Sequence, residues 1–85
     1  MALQELKCWP EPFQALRDGW KRHEVRKIDD RKFLVGEQII LREWDDCKKL
    51  YTGRQLRAQI TYISEPGTIG LPDNLAVLSV DVLSR

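Results

Sequence analysis

Histidine occurs once in these 85 residues and cysteine only twice. One imidazole and two thiols, with no C-x-x-C pair, are too few soft ligands for a structural zinc site, so no metal and no cofactor is expected. Two cysteines, Cys8 and Cys47, also fall short of the disulfide framework of a small secreted scaffold. A single bridge between them is compatible with the sequence, but the expectation is a reducing, cytoplasmic setting. No apolar run is long enough to span a membrane as a helix. Met1-Ala2-Leu3-Gln4-Glu5 shows no basic stretch followed by an apolar one, so no secretory leader is expected. Neither charge sign dominates: fourteen Lys and Arg stand against thirteen Asp and Glu. That balance excludes a histone-like basic binder and an acidic disordered tail. Repeats, low-complexity stretches and linkers are lacking too. One domain over residues 1–85, acting as a monomer, is the economical organisation.

What is present alternates with period two more often than with period 3.6. Residues 3–9 read as a first strand, with Leu6 and Cys8 on one face and Glu5 and Lys7 on the other. Pro10 and Pro12 fall where the first turn of a helix lacks N–H partners, and Glu11 suits the positive end of its dipole. A short helix over 10–18 is expected, with Phe13 and Leu16 on its buried face and Gly19 as its stop. Residues 21–28 form a second strand, in which His23 and Val25 share a face that is expected to be core. Asp29-Asp30-Arg31-Lys32 reads as a charged turn, with Phe33 and Val35 plugging into the core. A third strand over 37–44 is centred on Ile39-Ile40-Leu41. Asp45-Asp46-Cys47-Lys48-Lys49 is a polar hairpin loop. The fourth strand directs Leu56, Ala58, Ile60 and Tyr62 to one side. Residues 64–74 hold two prolines and two glycines and must be a loop. The last strand, 75–83, places Ala76, Leu78, Val80 and Val82 on one face. Five strands and one short helix after the first strand predict an α+β fold, and a small mixed β-barrel closes the edges most simply.

The chemistry gathers between Gly19 and Arg26. Glu24 and Arg26 stand two apart on one strand, so they project to the same side with Cα atoms roughly 6–7 Å apart. A guanidinium beside a carboxylate presents donors next to acceptors, the pattern a nucleobase edge also offers. Lys21, just past the helix stop, can reach a phosphate or a carbonyl oxygen. The competing reading is a solvated surface network, in which such pairs contribute ~0–1 kcal/mol each. Residues 17–32 hold seven Lys and Arg against four Asp and Glu, whereas residues 65–85 hold three acids against Arg85. This is a mild polarity rather than a basic stripe. Trp9, Trp20, Trp44 and Tyr51 adjoin loops or charges, and aromatics beside cations are the usual platform for unpaired bases. Trp9 and Trp44 each end a strand next to a polar loop and are the expected pocket walls. His23 is read as a partly buried structural residue. No serine sits in a nucleophile-elbow context, and Gly67-Thr68-Ile69-Gly70 lacks the Lys-Ser/Thr of a phosphate-binding loop.

The run Gly19-Trp20-Lys21-Arg22-His23-Glu24-Val25-Arg26 fits G-x-K-x-x-E-x-R without a gap. In this it resembles the ASCH domains, members of the PUA-like β-barrel group. Leu6-Lys7-Cys8-Trp9-Pro10-Glu11-Pro12-Phe13 resembles that family's first strand and helix entry, and Phe33-Leu34-Val35-Gly36-Glu37 its strand-opening turn. Leu41-Arg42-Glu43-Trp44-Asp45 with Tyr51-Thr52-Gly53-Arg54 resembles a small bacterial and phage branch of unknown function. Gln4 departs from that branch, which often carries histidine there, and so does His23, where an aromatic or aliphatic residue is usual. The resemblance implies a PUA-like barrel that binds single-stranded RNA or a nucleobase between barrel and helix. Lys21, Glu24 and Arg26 would line that cleft, helped by Lys7, Trp9, Arg42, Glu43, Trp44 and Arg54. Some ASCH domains hydrolyse acylated cytidine with a lysine, a threonine and a glutamate, which implies a second reading with Lys21 and Glu24 as catalytic residues. Against it, Glu24 replaces the threonine and no helical insert precedes the last strand. A third reading is a phage protein-interaction module.

Overall fold

The computed structural model describes residues 3–28 and 31–84, with the side chain of residue 84 excepted. The Asp29-Asp30 part of the expected charged turn lies outside them. The chain runs β1 (Gln4–Cys8), α1 (Pro10–Arg17), β2 (His23–Lys27), β3 (Gln38–Asp45), β4 (Leu50–Ser64) and β5 (Leu75–Ser84). The strands form one sheet in the order β1-β3-β4-β5-β2. β1 and β3 are parallel, and the other neighbours are antiparallel. The sheet curls into a half-barrel with the helix against it, a small α+β fold. Full closure was expected. Instead β1 and β2 remain the two outer strands, and side chains rather than a backbone ladder bridge them.

The local reasons for these elements are those the residue types dictate. Pro10 occupies the first turn of α1, where a missing N–H costs little, and Phe13 N–H bonds back to Trp9 O at 2.9 Å. Gly19, at φ +86°, takes the left-handed conformation that ends the helix. The amides of Trp20 and Lys21 then both donate to Ala15 O. Phe13 and Leu16 are buried against Leu6, Cys8, Ile39, Leu41, Leu56, Ala58, Ile60, Leu78 and Val80. The alternation of β1 and β5 is as expected, while Ile40 of β3 is only half-buried.

Three facing expectations are corrected. Val25 is 49% exposed and His23 is exposed, whereas Glu24 is buried at 4%. The register explains it: Glu24 lies opposite Leu78 and Arg26 opposite Ala76, so β2 turns these two charged side chains to the inner face. Tyr62 points outward because the register with β5 slips between Ile60 and Tyr62, and Ile63 takes the inward place opposite Leu78. Phe33 enters the core as expected, but Val35 is exposed. Among the described residues, no helix is long and apolar enough to cross a membrane.

Candidate functional site

In space, Glu24 is the centre of the G-x-K-x-x-E-x-R segment. Lys21 Nζ donates to its Oε1 at 2.9 Å. Arg26 meets its Oε2 with Nε at 3.1 Å and Nη2 at 2.9 Å. The same Nη2 donates to the backbone carbonyl of Lys7, so Arg26 ties β2 to the free edge of β1. Farther along that edge, Arg31 Nη1 donates to Glu5 O at 3.3 Å. These two arginines cap carbonyls that a closed barrel would give to a neighbouring strand.

Cys8 lies against this network, with Sγ 4.0 Å from Glu24 Oε1. Burial pushes its thiol up to about 11, and the Glu24 carboxylate adds to the effect. Both cysteines are free, Cys8 buried and Cys47 exposed, so the conceivable bridge does not form.

Glu43 is the second buried carboxylate, at 5% exposure. It sits where the β3–β4 register breaks: Arg42 faces Gln55 and Trp44 faces Tyr51, leaving Glu43 opposite three residues of β4. That irregularity folds Thr52 and Arg54 onto one carboxylate. Thr52 Oγ1 donates at 2.6 Å, and Arg54 makes a two-pronged contact with Nε and Nη2, both at 2.9 Å. The Arg54 hydrogen bond, helped by Thr52, holds the Glu43 carboxyl below the usual range against the opposing effect of burial. Arg54 also reaches Gln14 of α1 at 3.0 Å and covers the Phe13 ring. Among the described residues, every buried side-chain N or O atom has a partner. No group of three His, Cys, Asp or Glu among them could hold a metal.

Two hollows open along the β1–β2 seam. One, of about 280 Å³, is lined by Trp9, Pro12, Lys21, Glu24 and Arg26, with Lys7, Cys8 and Val25. The other, of about 580 Å³, is lined by Glu5, Lys7, Val25, Arg26, Lys27, Arg31, Phe33 and Tyr51. They share Lys7, Val25 and Arg26 as walls and so adjoin along the seam, and the adjoining pair is termed the trough. Trp9, 60% exposed, lines the smaller hollow.

Of the nine residues singled out in the sequence, Lys7, Trp9, Lys21, Glu24 and Arg26 converge on this trough. Arg42 and Trp44 lie beside it on the outer face of the sheet, linked through Lys7, whose Nζ stands 3.9 Å from the Trp44 ring centroid. Trp44 is therefore not a wall of the smaller hollow, because β3 turns it away from α1. Glu43 and Arg54 are spent on each other under the helix and line neither hollow. Sequence reasoning missed Glu5, Lys27, Arg31, Phe33 and Tyr51 as lining residues. The seam that gathers them joins strands at opposite ends of the sheet order, which local pattern does not report. For a hydrolytic site, Lys21 and Glu24 are side by side but joined in an ion pair. The segment between β4 and β5 is a loop of turns without a helix. No curated protein matches the chain. A family described as a domain of unknown function (DUF3850) matches residues 3–80, nearly the whole length, and the chain belongs to that family.

Proposed function

We propose that the protein binds single-stranded nucleic acid, RNA in the first instance, in the trough along the β1–β2 seam. One observation carries the reading. Among the described residues, the larger hollow is walled by Lys7, Arg26, Lys27 and Arg31 against the single carboxylate of Glu5, although the chain as a whole is nearly neutral. Cations gathered along a groove attract a phosphate backbone, and exposed aromatics at its ends offer faces for unpaired bases. Trp9, 60% exposed, supplies such a face. At the floor, Lys21 and Arg26 keep 24% and 23% of their side chains in contact with water and so have N–H donors to offer a base edge, while the buried Glu24 holds both in position. The likeness of residues 19–26 to the ASCH signature and the half-barrel shape support the same reading, with a PUA-like fold as its frame. Two free thiols accord with a reducing, cytoplasmic setting.

The test is titration of tryptophan fluorescence with an eight-residue oligouridylate at low salt. Saturable change below ~100 μM is expected, since even non-specific sites bind at about 10⁻⁴–10⁻⁶ M. With three or four phosphate contacts, log K falls against log salt with a slope of about −2 to −3. Arg31→Glu weakens binding and flattens that slope. A folded protein that responds to neither oligouridylate nor oligothymidylate at this concentration overturns the proposal.

A further inference from the structure

The outer face beside the trough carries an aromatic pair that the floor network does not use. Trp44 and Tyr51 face each other across β3 and β4, edge to face, with ring centroids 5.0 Å apart. Each ring is covered by a cation: Lys7 Nζ stands 3.9 Å from the Trp44 centroid, and Arg42 Cζ 3.9 Å from that of Tyr51. Arg42 is further held by Glu5 Oε1 at 3.2 Å. The platform is continuous with the trough, because Glu5, Lys7 and Tyr51 also line the larger hollow.

From this arrangement we infer that the Trp44–Tyr51 pair is a second base-stacking site, so that the protein reads at least two neighbouring nucleotides of one strand. The inference rests on the proposed function and extends it. One base occupies the smaller hollow beside Trp9. The next lies on the Trp44–Tyr51 platform, and Lys7, which touches both places, meets the phosphate between them. Lys7 and Arg42 act as exchangeable covers. An exposed cation–π contact is worth less than the stacking of a nucleobase on the same ring, so a base displaces the cation. The displaced ammonium and guanidinium then lie beside the incoming phosphates, where a charge-assisted contact replaces the one lost. Stacking uses the face that all bases share, so the ligand class is a short single strand with little sequence preference. A duplex, whose bases are already stacked, is excluded.

The experiment compares uridine monophosphate, tetrauridylate and tetrathymidylate by calorimetry, on the parent and on Trp44→Leu and Tyr51→Leu. A second aromatic site makes the parent bind the tetranucleotides at least about tenfold more tightly than the mononucleotide. In the two variants this length advantage shrinks by about tenfold. Because Trp44 is half-buried, the exposed Tyr51 serves as the second variant, and a thermal melt verifies that each is folded. Folded variants that keep the parent's full length advantage overturn the second site alone and leave the trough reading intact. A parent that binds none of the three ligands overturns both. Tight binding of a short blunt duplex without unpaired bases, by parent and variants alike, also overturns the stacking site.

Discussion

Among the described residues, Glu24 and Glu43 are the two carboxylates taken out of water, and each is supplied with cations from its own neighbourhood. An ionised carboxylate moved into the interior costs several kcal/mol unless its oxygens are paired and hydrogen-bonded. Lys21 and Arg26 meet that need at Glu24, Thr52 and Arg54 at Glu43. Cys8 sits next to the first and is the register partner of the second, so a thiolate there would add a third buried negative charge. This makes Cys8 an inert thiol with a testable signature. An unfolded cysteine titrates near about 8.5, whereas the folded Cys8 is raised to about 11. Its protonated form therefore contributes stability that is complete below the unfolded value and is lost as pH rises through the folded one. At pH 8 we expect one fast-reacting thiol per native chain, Cys47, and a second only after denaturation. A Cys8→Ala variant shows a smaller alkaline loss of melting temperature than the parent between about pH 8.5 and 11. Two fast thiols in the native protein would contradict this account of the site.

At the level of elements, β2 is the strand whose facing decides the site. Its pattern of one β-branched residue among charges reads most simply as Val25 inward, yet the register with β5 turns Glu24 and Arg26 to the side of Leu78 and Ala76. The inversion is stable because Lys21, from the turn before the strand, and Arg26 neutralise Glu24. It predicts an unusual order of mutational costs. Val25→Thr should change stability by no more than about 0.5 kcal/mol. Glu24→Gln should cost about 1–3 kcal/mol, tempered because Lys21 and Arg26 keep part of their surface in water. Urea midpoints of the two variants decide it, and the reverse order would contradict the assigned facing. The same strand shows what was legible beforehand. The helix bounded by Pro10 and Gly19, the alternation of β1 and β5, and the five-strand count all follow from local residue pattern. The facing of β2 does not, because it is set by residues about fifty positions away. The outward turn of Tyr62 and the convergence of Thr52 and Arg54 on Glu43 follow from register breaks, which have no local signature.

Across the whole molecule, a net charge of +1 conceals an uneven surface. The seam between the outer strands collects Lys7, Arg26, Lys27 and Arg31, while Glu65 and Asp73 lie in the loop that joins β4 to β5. The lysine, glutamate and arginine of the sequence motif do two things at once. They hold together a half-barrel that its backbone leaves open, and they form the floor of the trough. A structural role alone would account for the pairing of Glu24. The capping of the β1 edge accounts for Arg26 and Arg31 as well, and leaves unexplained why Lys7, Lys27, Trp9 and Tyr51 border the same seam. The most direct test is to follow backbone amide resonances while adding tetrauridylate at low salt. The account predicts shifts concentrated in residues 5–9, 21–27 and 42–51, with the 65–74 loop unmoved, and their reversal by salt. Shifts confined to the 65–74 loop, or none at all in the presence of ~100 μM ligand, would contradict it.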